Sequence, residues 1–475
     1  MTRVAQGSPT KEFFVEMLTR DIDINDAILD LLDNCLDGVI RQNQKNSDKN
    51  TGAIYTDYRA KITIKKDEFI VEDNCGGIPI EIAEKYAFRM GRSPDMADDN
   101  LPTIGIYGIG MKRAIFKIGQ SATVTTRHND DCYEVHIPVD WVSQEQWDFE
   151  INMLENNSSL SFDGTRIVIT RIHKGVQDNW NTEDKLSEFV KGLNRNIQQS
   201  YSFVLQKGFS ITINDSPVTP LPMTLLVSEG KEKESIKPYL YKRNFNDVKV
   251  SIAMGFYAPP PSADEIDDEN ELKRSSADAG WTIVCNDRVV LYNDKSHLTG
   301  WGEAGIPQYH TQFIGIRGLV VFESNNPKNL PMTTTKRGID TSSSIYAEVK
   351  NKMREALKIF TSYTNRWKGQ NEKERKHSTA AIPVSIEKLV DPEENITSKY
   401  SLNFRQSQGA KIFSPKLPSP ENDKPYRIIR FSRSNEQILD LVEHFFSDRA
   451  YQITPSQVGE KCFDELWKKY NEGRQ

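Results

Sequence analysis

Residues 26–38, Asp-Ala-Ile-Leu-Asp-Leu-Leu-Asp-Asn-Cys-Leu-Asp-Gly, constrain the fold more than any other stretch of the chain. A helix turns by about 100° per residue, so Asp30, Asn34 and Asp37, at i, i+4 and i+7, share one stripe. Ile28, Leu29, Leu32, Leu36 and Val39 fill the opposite arc. Such a helix buries one side on a sheet and aims an acid, an amide and a second acid into a cleft, or it presents an ordinary solvated polar face. The stripe by itself does not separate the two.

Two more stretches carry chemistry. Val71-Glu-Asp73-Asn74-Cys75-Gly76-Gly77-Ile78 follows a run that alternates like a strand. A carboxylate at a strand end accepts a hydrogen bond from an exocyclic amine, and paired glycines let the backbone approach a flat ring. The same residues also make an ordinary Asp-Asn-Gly turn. Gly105-Ile-Tyr-Gly108-Ile109-Gly110-Met111-Lys112 precedes a predicted helix. Its backbone N–H groups suit phosphate oxygens at a positive helix end, and Lys112 adds a point charge. The glycine spacing is shared with dinucleotide-binding loops, but those follow the first strand of a βαβ unit, and this one follows a long loop. The G-x-x-x-x-G-K-S/T pattern is absent.

Around these stretches the pattern predicts helices near 10–19, 23–41, 80–90 and 112–118, a hairpin over 61–74, and strands at 121–127, 132–138 and 164–171. Helices against an antiparallel sheet make an α+β two-layer domain. A strand-rich region follows over roughly 200–340, then an amphipathic helix over 342–367, then a polar stretch. The C-terminal fifty residues predict a strand, Tyr426-Arg-Ile-Ile-Arg-Phe-Ser, and helices near 436–446 and 455–470. No apolar run approaches the roughly 18 residues of a membrane span. The N-terminus has no apolar signal core. The expected compartment is therefore the cytoplasm, with no membrane partner. The five cysteines form no CxxC pair, so neither a disulfide framework nor a zinc site is expected. A net charge of −6 excludes a general polyanion binder and leaves room for a local basic patch.

Taken together, in this order, the three stretches resemble the GHKL ATPases: gyrase B subunits, MutL proteins, MORC ATPases, sensor histidine kinases and the ninety-kilodalton heat-shock chaperones. Gly164-Thr165 in FDGTRIVIT is a fourth matching element. The Gly108-x-Gly110-x-Lys112 ending is most similar to MORC and type II topoisomerase lids. The resemblance implies ATP and Mg²⁺ as ligands. By it, Asn34 holds the metal, Asp73 takes the adenine amine, Gly77 lies under the base and Thr165 supports the adenine–water network. Residues 88–112 form the lid. Asp37, Ile78, Gly105, Gly108, Ile109, Gly110, Met111 and Lys112 complete the nucleotide-binding set. Family members usually carry Glu four residues before the Asn to orient the attacking water. Here that position is Asp30, one methylene shorter, which points to slow hydrolysis; Asp33 is the next acid, but its helical angle turns it away from Asn34.

Far downstream, Pro331 is followed five residues later by Lys336 within GIRGLVVFESNNPKNLPMTTTKRGI. This resembles the segment that carries a catalytic basic residue in the chaperones, and gyrase and MutL supply a Lys to the γ-phosphate from their transducer domains. Lys336 is the implied second catalytic residue, with Arg337 as the alternate; a surface basic pair is the plain reading. The expected organisation is a Bergerat-type ATP domain over 1–200, a two-layer α/β transducer domain over 201–345, a helix over 346–377, a flexible linker over 378–425 and a small helical or mixed C-terminal module over 426–475. The implied activity is an ATP-gated clamp, a homodimer on ATP binding, that acts on DNA or with a DNA-processing partner protein in genome maintenance or defence against foreign DNA. A chaperone-like ATPase that remodels protein clients is the alternative.

Overall fold

The structure is a computed structural model that describes residues 9–45, 54–91, 101–106, 108–155, 160–229, 234–261, 276–420, 429, 432–446 and 453–473. Helix α1 spans Lys11–Arg20, capped by the Thr10 hydroxyl, which accepts from the Phe13 N–H. Helix α2 spans Ile24–Lys45; its first turn is closed by the Asp23 carboxylate, which accepts from the Asp26 N–H. Strands β1 (Arg59–Lys65) and β2 (Glu68–Asp73) form the predicted hairpin, with Ala60 opposite Asp73. A short turn of helix, α3 (Ile80–Ile82), runs into one π-turn over Ala83–Ala87. Helix α4 (Gly110–Ile118) passes directly into β3 (Gly119–His128), and β4 (Asp131–Ile137), β5 (Ile151–Met153) and β6 (Gly164–Ile172) follow.

These strands, with β7 (Ser210–Ile213) and β8 (Ser216–Pro217), form one eight-stranded sheet in the order β5-β4-β3-β6-β2-β1-β7-β8. Pairing is antiparallel except between β1 and β7. A parallel neighbour needs a long crossover, which α5 (Lys174–Gln177) and α6 (Glu183–Gln206) supply. The strand-rich pattern assigns residues 209–215 to the second region, so the boundary at 200 falls short of the end of this sheet. The apolar arc of α2 packs on the sheet: Ile28, Leu32, Leu36 and Val39 are fully buried with Ile62, Phe69, Val124 and Ile169. Each such side chain contributes roughly 1.5–3 kcal/mol of transfer free energy.

The second sheet has the order β13-β12-β14-β11-β10-β17-β16. Its strands are β10 (Tyr239–Phe245), β11 (Val248–Phe256), β12 (Gly280–Cys285), β13 (Arg288–Asp294), β14 (Ile316–Glu323), β16 (Arg405–Ser407) and β17 (Ala410–Phe413). Helix α7 (Ser344–Arg366) covers it through Tyr346, Val349, Met353, Leu357 and Phe360. The helix expected over 346–377 is two: Gly369, at φ +82°, breaks the run, and α8 (Asn371–Thr379) starts anew.

Much of the expected linker, 378–425, is regular structure. Strand β15 (Ile382–Ser385) pairs with β9 (Thr224–Val227), helices α9 (Ile386–Val390) and α10 (Glu394–Lys399) follow, and β16–β17 add two strands beside β10. Short apolar anchors within the polar composition are the reason: Val384, Ile386, Leu389, Leu402 and Ile412 are all buried. The C-terminal helices α11 (Asn435–Phe446) and α12 (Pro455–Glu472) pack on each other. The predicted strand over 426–432 lies almost wholly outside the described residues. Among the described residues no helix is long and apolar enough to cross a membrane.

Gly318 on β14 lies against the Trp281 ring of β12, where a Cβ would sit 2.4 Å from ring carbons. Gly318→Ala is expected to destabilise the second sheet by about 1–3 kcal/mol through overpacking, read as a lower urea midpoint. An unchanged midpoint would mean that the Trp281 ring shifts at no cost.

Candidate functional site

Each of the fourteen residues singled out in the sequence lines one cavity of about 410 Å³ under the polar stripe of α2. Three chain segments build its walls: α2, the turn after β2, and the loop that enters α4; Thr165 on β6 closes the floor, and Thr334 and Lys336 reach in from the second region.

The turn after β2 is shaped by close approach. Gly77 has φ +64°, and a Cβ there would lie 1.9 Å from the Arg127 carbonyl oxygen, so no larger residue fits. The Ile78 N–H donates to the Thr126 hydroxyl (2.9 Å); that hydroxyl donates to the Gly164 carbonyl (3.0 Å) and lies 3.2 Å from the Thr165 hydroxyl. Asn74 serves the fold: its side-chain oxygen accepts from the Arg59 N–H and its amide donates to the Asp57 carbonyl. Asp73 accepts from the Cys75 N–H (2.8 Å) and the Cys35 thiol (3.4 Å). Burial pushes its carboxyl up to about 6, and the hydrogen bonds from Cys75 and Cys35 oppose the shift without cancelling it.

Asn34 is exposed on the cavity wall. Asp37 faces the loop instead: its carboxylate accepts from the Ile104 and Gly105 N–H groups at 2.7 and 2.9 Å and fastens that loop to α2. Burial raises its carboxyl, against the nearby Arg41 and the two N–H groups. A Cβ at Gly105 would come 2.6 Å from an Asp37 oxygen, so a larger residue there would push that carboxylate aside. Gly108 has φ +67°, and Gly110 opens α4 directly over Asp30. The Lys112 ammonium donates to the carbonyls of Ala87 and Gly108 and so joins the described segments on either side of residues 92–100; burial pushes it down to about 8. Residues 92–100 and 107 of the expected lid lie outside the described residues.

At the far end lies a knot of buried charge. Asp30 accepts from Arg113 at Nε (3.0 Å) and Nη2, and from Lys336 Nζ (3.2 Å). Lys336 Nζ also donates to Asp33 (2.7 Å). The other Asp33 oxygen accepts from Arg288 Nε at 3.0 Å and lies 2.7 Å from the Tyr201 hydroxyl. Burial alone would raise Asp33, but Lys336 and Arg288 outweigh it and hold the carboxyl below its ordinary range. Lys336 is correspondingly held above its ordinary value by Asp33 and Asp30, in spite of burial. Arg337, the alternate, points elsewhere and pairs with Asp26.

Sequence reasoning missed Arg113, Arg288 and Tyr201. Arg113 follows the motif by one residue and was readable in principle. Arg288 is 255 residues from its partner, and no local pattern marks it. Among the described residues no three His, Cys, Asp or Glu side chains converge as a metal cage. Residues 22–165 match the family model of histidine kinase-, DNA gyrase B- and HSP90-like ATPases. That span starts just before α2 and ends on Thr165, so it holds every candidate except Lys336. No curated protein matches the chain.

On the sequence expectation that Asp73 takes the adenine amine, adenosine is expected to bind more weakly as pH falls through 6, because the ionised carboxylate is the better acceptor. Between pH 7.5 and 5.5 the ionised fraction drops roughly fourfold, and the affinity should follow. Adenosine carries no phosphate to titrate, and ligand-observed NMR reads the weak binding. A flat profile would remove Asp73 as the acceptor.

Proposed function

We propose that this chain, a GHKL ATPase through residues 22–165, binds Mg·ATP in the cavity under α2 and hydrolyses it. The observation that carries the reading is convergence: residues from five parts of the sequence meet around one cavity that has a buried acid at one end and a cluster of cations at the other. Asp73 accepts the adenine amine at the closed end. Gly77, which lines the same cavity and whose φ of +64° and packing against the Arg127 carbonyl exclude any side chain, lies under the ring.

The metal reading fits the donors present. Magnesium prefers hard oxygen ligands and keeps several waters, so it needs one or two protein groups beside the phosphates and no cage. The Asn34 amide oxygen is such a group, exposed on the wall between the two ends. When bound, the ion neutralises the phosphate oxygens as charge develops on them. Asp30 orients the attacking water, and Lys336 meets the γ-phosphate from the second region. Asp30 stands in for a longer acid, and misplacement by roughly 1 Å can cost about a hundredfold in rate, so turnover is slow.

The output proposed is an ATP-gated dimer. Helix α1 leaves Phe13 59% and Met17 50% exposed, with Trp147 beside Phe14, an apolar surface next to the ATP domain. Closing the lid completes that surface for a second copy by two-fold symmetry. The client proposed is DNA, in genome maintenance or defence against foreign DNA. Duplex binding whose logarithm falls linearly with the logarithm of salt would support it.

Asp30→Asn is expected to keep ATP binding in calorimetry and to lose turnover, while Asp30→Glu should raise the rate. Full turnover in Asp30→Asn would move the role to another acid. Sedimentation velocity should show a shift from monomer or loose dimer to compact dimer on a non-hydrolysable ATP analogue, and Phe13→Asp should block it. An unchanged profile on saturating analogue would remove the clamp and leave the ATPase.

A further inference from the structure

The buried knot joins two carboxylates, Asp30 and Asp33, to three cations, Arg113, Arg288 and Lys336. All five side chains are at most 10% exposed. Asp30 and Lys336 line the nucleotide cavity, whereas Asp33 and Arg288 do not. Asp33 therefore has no route to a ligand of its own, yet it makes the shorter of the two bonds to Lys336, 2.7 Å against 3.2 Å. Like Asp30, whose second oxygen is held by Arg113, it is anchored away from Lys336. Arg288, from β13 of the second sheet, and Tyr201, from α6, hold its other oxygen, and the Arg288 guanidinium lies 4.6 Å over the Tyr201 ring.

Lys336 needs such an anchor. It sits in the left-handed region at φ +57°, in a tight turn where its N–H donates to the Thr333 carbonyl and the Thr333 N–H to the Gly338 carbonyl. A flexible side chain on a strained turn has many positions to sample. With Asp30 as its single partner it would rest on the carboxylate that is needed for water.

We propose that Asp33, fixed by Arg288 and Tyr201, is the positioning residue for Lys336, and that it docks the second region's basic turn against α2 so that the ammonium stands at the phosphate end of the cavity. This rests on the ATPase reading above. Two segments of the second region, β13 and the 333–338 turn, meet on this one carboxylate. Lys336 lines the cavity wall, so a terminal phosphate in that cavity would meet its ammonium. Asp33 thus acts on turnover through Lys336 and leaves adenine recognition alone.

The test is a double-mutant cycle on full-length protein: wild type, Asp33→Asn, Lys336→Met and both together, with kcat from steady-state ATPase assays and nucleotide affinity from calorimetry. Asp33→Asn is expected to lower kcat about tenfold or more with ATP affinity nearly unchanged, and the double variant should be no slower than Lys336→Met alone. Tyr201→Phe removes the hydroxyl that lies 2.7 Å from both Asp33 and the Leu29 carbonyl, and covers the case in which Asp33→Asn does not fold. It should lower kcat severalfold in the wild-type background and not at all in the Lys336→Met background. Multiplicative losses, or an Asp33→Asn enzyme with wild-type kcat, would overturn the positioning role while the ATPase reading stands. A wild-type protein that neither binds nor hydrolyses ATP would overturn both.

Discussion

The rest of the structure depends on the packing of helix α2, which has no idle face. Its apolar arc rests on the first sheet, its Asp30–Asn34–Asp37 stripe forms the cavity roof, and Asp33 projects between them into the second region. Burying a carboxylate is costly unless cations and hydrogen bonds surround it, so Asp33 is viable just where Arg288, Lys336 and Tyr201 meet it. One helix therefore fixes the sheet, the site and the position of the second region together. A change on any face is felt by the other two.

The lid obeys the same economy. Its two described ends are fastened by side chains that a motif would assign to the ligand: Asp37 holds the backbone at Ile104–Gly105, and Lys112 holds Ala87 and Gly108. Both polar groups are buried and satisfied. The described segments on either side of residues 92–100 are thus fixed by α2 and by the start of α4.

Much of this was legible in the sequence because it is local. The α2 stripe, the β1–β2 hairpin, the acid-and-glycine turn and the glycine loop each follow from spacing within a dozen residues, and they converge where a shared cavity would need them. What was not legible is non-local. Asp33 turns away from Asn34, as its helical angle says, but its destination is an arginine 255 residues downstream. Strand β7 reads as the start of the second region, yet the α6 crossover returns it beside β1. Residues 378–420 have a linker's composition, and a few buried apolar side chains suffice to make them strands and helices.

That last feature sets how the chain can be divided. Strands β16 and β17 leave the sequence after the long helix α7 and come back to the edge of β10, while β15 reaches back to β9. The second region is thus closed by its own tail, like a strap drawn round a folded sheet. A fragment that stops soon after α7 bares the backbone N–H and C=O groups of β10, an edge that invites pairing with other chains. The smallest piece that keeps the second sheet whole runs through Phe413, whereas every strand of the first sheet lies at or before Pro217, so a cut between Pro217 and Thr224 leaves each sheet all of its own strands.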